Sequence, residues 1–519
     1  MKRVLITGVL MKKCMLILLV SLCCTGLLYA GLGFHHLATL SGESPGDDFN
    51  NIISLGDINQ NGYDDFAVAA WGDDSDNDNY IKIYFGRDTL DAPFDTTADL
   101  RLVPEVQWYG FGQTMAVGDF NGDGVPDLVV GEPHHYGKVY VYFGGEHMDS
   151  IPDIIMKNGT DYRFYGHVVA NGGDINGDGI EDLIVVDDAF WETTGFVYIH
   201  FGGPDISDEW DYVFTGLEGE LIGQSCDGLG DINGDGFDDI IVGTRVNKAY
   251  LILGHASPDS ISYVEIIGDT TIAYLDRIVA GIGDINQDST LKYVISSSAK
   301  DRPHNGLIQI YSGESLQPIH SFRGFDYNGG ISAISGKEDI NNDGTPDLLV
   351  SYGDNNSLYK GKVLCFLGGA DFDTIPDFIL EGSLEHGYFG RSIAVLGDIN
   401  GDGNINVAFS ESNTVYIYTF GDIVGVDETM QAHDFILNQN YPNPFNPVTH
   451  ILFSLPEPAQ VTLNIYDITG RLVKQLINQN TPAGYHTVSW DASGYSSGIY
   501  FARIQAGDVV KTQKMVLIK

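Results

Sequence analysis

The sequence predicts an all-β chain: a seven-bladed β-propeller with calcium loops, followed by a small Ig-like β-sandwich. Three observations lead there. One acidic turn recurs seven times, strand-like runs fill the intervals between copies, and residues 435–519 abandon the pattern. The copies read DINQNGYDD from Asp57, DFNGDGVPD from Asp119, DINGDGIED from Asp174 and DINGDGFDD from Asp231. DINQDSTLK from Asp284, DINNDGTPD from Asp339 and DINGDGNIN from Asp398 complete the series. Their starts lie 62, 55, 57, 53, 55 and 59 residues apart. A period of this size marks an array in which each unit buries its faces only against its neighbours.

Oxygen-bearing side chains recur at loop positions 1, 3, 5 and 9. In chain order they are Asp57, Asn59, Asn61 and Asp65; Asp119, Asn121, Asp123 and Asp127; Asp174, Asn176, Asp178 and Asp182. The later loops supply Asp231, Asn233, Asp235 and Asp239; Asp339, Asn341, Asp343 and Asp347; Asp398, Asn400, Asp402 and Asn406. An all-oxygen set suits calcium, which takes six to eight ligands in a flexible cage, better than magnesium, which demands a near-ideal octahedron. The loops hold no Cys or His, which disfavours transition metals. The carbonyl at position 7 (Ile180 in the third copy) is a natural fifth ligand, and Gly179 suits a bend requiring positive φ. Asp, Asn and Gly also make good metal-free turns, but seven copies with the same oxygen positions favour about six structural calcium ions. The fifth loop is the exception. Ser289 replaces its Gly and Lys292 its last ligand, so its ammonium is expected to neutralise Asp284 and Asp288 in place of a metal. Asn61 and Asn406 should weaken the first and last sites.

Each loop lies between two apolar runs, and a third run rich in β-branched and aromatic residues ends at a Gly, as in VYVYFGG from 139. A weaker fourth, such as DIIMKNG from 153, precedes the next copy. Four strands per copy make the blade of a propeller. After VYIYTFG (415–421) no fourth strand follows, whereas residues 34–42 have strand composition and no blade of their own. They are expected to complete blade seven and close the ring, since an open array would leave exposed edges.

FGQ at 111–113, YGH at 165–167, IGQ at 222–224 and FGR at 389–391 precede the inner strands. Together with the DxNxDGxxD loops they resemble FG-GAP repeats, the blades of the integrin α-subunit propeller and its bacterial relatives. The resemblance spans about 34–421 and is eroded in the fifth blade, where Leu275–Asp276–Arg277 stands instead.

At the N-terminus, Lys2, Arg3, Lys12 and Lys13 precede an apolar run ending at Ala30. That order predicts a cleaved signal peptide over 1–30, with Met1 or Met11 as the start. No other run is long enough to span a bilayer. Removing the leader takes the net charge from −44 to −48, and six divalent ions would leave −36. Such acidity argues against nucleic acid or an anionic lipid surface as partner. Only Cys226 and Cys365 remain beyond the leader, in non-adjacent repeats, so no disulfide is expected and bound calcium is the source of rigidity.

After a polar linker (422–434), residues 435–519 run through short strands with turns at Gly470, Gly484, Gly498 and Gly507. Basic residues gather here. YPNPFNP, IYDITGRLV, Gly498–Phe501 and the closing KMVLIK resemble the type A C-terminal sorting domain of the type IX secretion system. The resemblance implies the secretion machinery as a partner and a secreted or outer-surface location.

No HExxH helix or phosphate loop is present. A binding face is better supported. The links from strand two to three, and from strand four to the next blade, share the face opposite the metal loops. They carry Trp71, Tyr80, Trp108, Tyr109, His134, His135, Tyr136, Tyr162, Phe164 and Trp191, aromatic groups suited to glycan or protein ligands or else to packing between blades. Two functions follow: adhesion or binding of an extracellular glycan or protein, or glycan cleavage, which a buried acidic pair at the aromatic mouth would favour.

Overall fold

Seven four-stranded antiparallel sheets follow one another along the chain in a computed structural model. The structure describes residues 32–518 except 45–46, 72–78, 90–93, 106–109, 135–136, 158–163, 189–193, 247, 268–273, 299–305, 324–329, 353–359, 385, 423–435, 438–439, 441–444, 446 and 508. The leader over 1–30 and most of the 422–434 linker thus lie outside it.

Sheet three is typical. Tyr165–Asn171, Leu183–Asp187, Phe196–His200 and Tyr212–Thr215 pair in order. Its second strand is buried along its whole length, as a run of Leu, Ile and Val requires when both faces meet another sheet. The innermost strands of successive sheets lie side by side, and that of sheet seven returns to that of sheet one, so the ring closes. This is a β-propeller. Sheet seven takes its fourth strand from the other end of the chain, where Leu32–Ser41 pairs with Thr414–Asp422.

Apolar clusters fill the seams. One joins Leu55, Ala67 and Ile81 of sheet one to Phe111, Leu128 and Tyr140 of sheet two. The FG element explains itself there. Phe111 is fully buried, and Gly112 lies so close to sheet one that an added Cβ would come within 2.7 Å of the Ala69 Cβ.

The C-terminal region has two sheets, one of three strands and one of four. They share one core containing Phe445, Phe453, Ile465, Trp490 and Met515. No helix among the described residues is long and apolar enough to cross a membrane.

Candidate metal centres and ligand-binding face

Each metal loop is wound around its own first residue. In loop three, Asp174 Oδ1 accepts the N–H groups of Gly177 and Asp178 at 2.7 and 2.9 Å, and Oδ2 that of Gly179 at 2.8 Å. Asn176 Oδ1 accepts from Asp178 N–H, and Asp178 Oδ1 from Ile180 N–H. These bonds need two left-handed residues. Position 6 has φ between 81° and 92° in the six loops with Gly there, and no atom lies within 4 Å of an added Cβ. The Gly is therefore required by conformation and not by space. Loop five tolerates Ser289 at φ 66°.

Position 9 sits deeper. Asp65, Asp127, Asp182 and Asp239 are fully buried. One carboxylate oxygen accepts the N–H of loop position 2 or 3, and the other that of the Gly ending the third strand, as Asp182 does from Ile175 and from Gly202, both at 2.8 Å. Burial, with repulsion from the other loop carboxylates, pushes the carboxyls of these four up to about 7 and that of Asp347 to about 6. Among the described residues no three His, Cys, Asp or Glu side chains close around one point. The acids accept hydrogen bonds from backbone amides of the loop. Positions 3, 5 and 9 still converge: Asn121 Nδ2 lies 3.1 Å from Asp123 Oδ2 and 3.4 Å from Asp127 Oδ1.

Loop five supplies the fit test for a cation. Its buried Lys292 Nζ lies 2.9 Å from Asp284 Oδ1 and also contacts Asp288 Oδ1 and the Thr290 carbonyl. Those are positions 1, 5 and 7, the groups expected to hold a metal elsewhere. The ammonium draws Asp288 down to about 2. It also keeps Asp284 below the usual carboxylate range against the opposing effect of burial. Six loops thus carry the same oxygen set without the ammonium, and that set fits a hard divalent cation. Asn406 departs differently: Oδ1 accepts from Ile399 N–H while Nδ2 donates to Thr419 Oγ1.

Of the aromatic candidates, Trp108, Tyr109, His135, Tyr136, Tyr162 and Trp191 lie outside the described residues, and Trp71 ends the strand Asp65–Trp71. The His134 ring packs edge-on against Phe164 at 5.6 Å, a contact between blades. Tyr80 belongs to the interior, 1% exposed, with its hydroxyl donating to Asp47 at 2.6 Å. At the end of the second strand of sheet three, the adjacent acids Asp187 and Asp188 are both buried. Asp188 pairs with Arg245 at 3.3 Å and stands 3.6 Å from His167 Nε2.

Residues 111–142 match the FG-GAP repeat, and residues 439–519 match the secretion system C-terminal sorting domain. The chain carries FG-GAP repeats and a sorting domain. The sorting domain marks it as a secreted or outer-surface protein and implies the type IX machinery as its route. The chain is similar to integrin alpha-5 of Xenopus laevis, 26% identical over 300 residues, covering 53% of this chain and 27% of that protein. It is also similar to human integrin alpha-7, 35% identical over 171 residues, or 29% of this chain and 14% of that one. Human phosphatidylinositol-glycan-specific phospholipase D is 34% identical over 176 residues, or 30% and 21%. The chain therefore spans about a quarter or less of these relatives. Among solved structures, Raptor of Chaetomium thermophilum aligns with a TM-score of 0.46 at 14% identity, over 75% of this chain and 29% of that one.

The sequence pattern missed position 8 of the loops. Asp64, Glu181 and Asp238 leave their own loops and accept the N–H of the first loop residue in the preceding blade. The signal was present, because an acid precedes the last ligand in only those three copies.

Proposed function

We propose that this protein is a calcium-stabilised propeller that binds an extracellular glycan or protein ligand in adhesion, delivered by a type IX-like secretion system. The observation that carries the calcium reading is Lys292, whose ammonium sits among the oxygens of loop positions 1, 5 and 7, while the six other loops carry Asp or Asn in its place. About six ions are expected. The binding reading rests on the similarity to integrin α chains and on the aromatic residues that the sequence assigns to the links opposite the acidic loops. Domain limits of 31–421 for the propeller and 435–519 for the sorting domain follow from the repeat and the strand-rich tail. A glycan-array screen of the purified propeller, with calcium and with chelator, tests the proposal. Calcium-dependent capture of a defined glycan or protein class supports it. A second reading, glycan cleavage, is favoured by the buried pair Asp187 and Asp188 directly before the segment containing Trp191. Product analysis on array hits separates the two, since shortened glycans would require the enzyme.

A further inference from the structure

Three seams of the ring are built differently from the rest, and the difference lies at the metal loops. Asp64 Oδ2 accepts the N–H of Asp398 at 2.8 Å, Glu181 Oε2 that of Asp119 at 2.7 Å, and Asp238 Oδ2 that of Asp174 at 2.9 Å. In each case a position-8 acid of one blade holds the backbone of the first ligand of the blade before. The same seams share a second contact. The position-7 side chain of the later blade seats on the position-4 Gly of the earlier loop: Tyr63 on Gly401, Ile180 on Gly122 and Phe237 on Gly177, each within 2.8 Å of a hypothetical Cβ.

At two other seams position 8 is proline. Pro126 lies beside Gly56 and Pro346 beside Gly283, and the preceding loop then carries Gln60 or Gln287 at position 4, with φ 61° and 57°. Leu291 and Ile405 occupy position 8 at the remaining two. None of these four side chains offers an acceptor.

We propose that Asp64, Glu181 and Asp238 are positioning residues for the metal site of the preceding blade. They link loop one to loop seven, and loops two, three and four to one another. The physical route is short. Position 8 reaches back to the previous loop, while its covalent neighbour, Asp65, Asp182 or Asp239, belongs to the oxygen set of its own loop. Ordering either loop fixes a dipeptide that the other also needs, and a coupling of this kind acts equally in both directions. The carboxylate adds a charge-assisted hydrogen bond to the backbone of the first ligand. This inference rests on the calcium reading above.

The test compares the full chain with its variants D238A, D238N and, at a proline seam, P346A, by calorimetric calcium titration. Amide hydrogen exchange in chelator is followed in parallel. D238A is expected to weaken one site about tenfold, within the usual range of coupling energies, and to lower the cooperativity of the isotherm. It should also speed exchange of the Asp174 amide with no metal present. D238N, which keeps an oxygen acceptor, should restore Asp174 protection and most of the affinity, and P346A should leave the isotherm as it was. Wild-type isotherms and exchange rates in D238A at normal stoichiometry would overturn the coupling. A wild-type chain that binds no calcium would instead overturn the proposed function.

Discussion

Asp64 Oδ2 accepts the backbone N–H of Asp398 across 334 residues of chain, tying the first blade to the last at 2.8 Å. Beside it, Tyr63 seats on Gly401, and the strand Leu32–Ser41 completes the sheet whose strands Ile393–Gly397 and Ile405–Glu411 flank the Asp398 loop. The ring is thus held at its join by a side-chain bond, a packing contact and a complete strand pairing.

Removal of residues 32–41 should open this join. The strand buries Phe34, Ala38 and Leu40, and Phe34 packs edge-on against Phe378, Phe409 and Phe420. The expected outcome is aggregation, because a bare edge is left on sheet seven. F34A alone should cost about 3–5 kcal/mol, read as a lower midpoint in urea. A monomeric deletion protein with an unchanged midpoint would show that the ring does not depend on this strand.

Chelation should lower the melting temperature, since each ion held at a hundredfold excess over its Kd contributes about 2.7 kcal/mol. D178A is expected to remove one calcium from the count, and D288A none, because Lys292 already occupies that loop. Equilibrium dialysis with metal analysis reads both. A loss of one ion in D288A would mean that the ammonium does not exclude the metal.

The calcium effect should depend on pH. The position-9 carboxyls have values raised from 3.8 to about 7, and to about 6 for Asp347. Without calcium the folded state therefore holds these protons more tightly than the unfolded chain. The stability they contribute is fully present below 3.8 and is lost as pH rises through 6 to 7. Calcium needs the ionised form and gains over that same window. Melting curves with and without chelator should converge near pH 5 and separate by pH 7.5. A gap of constant size across this range would show that these carboxyls do not gate the metal.

Truncation after Asp434 should trap the propeller in the periplasm, and residues 435–519 grafted onto a neutral passenger should export it in a host with the type IX machinery. Cell fractionation reads both. Surface delivery of the truncated chain at normal yield would reduce the tail to a structural module.

The repeat alone determined that the chain is an array of four-stranded units, and the unpaired strand at 34–42 pointed to its closure into a ring. Seven copies of one loop impose one local winding, and the alternation of runs around them leaves a single strand order. Ser289 and Lys292 likewise mark loop five as different in the sequence, since an ammonium among carboxylates pairs with them. Tertiary structure decided what lies between blades. A position-8 Asp or Pro looks like an ordinary turn residue in the sequence, and only the stacking of neighbouring loops shows that Asp238 caps Asp174 while Pro346 packs on Gly283. Tyr80 shows the same limit from the other side. The sequence leaves it open whether this ring faces a ligand or packs inside, and the structure buries it with its hydroxyl donating to Asp47 Oδ2. Local patterns specify strands and turns because their causes are local. The contacts across a seam depend on which residues two separate loops bring together, and that is settled only when the ring forms.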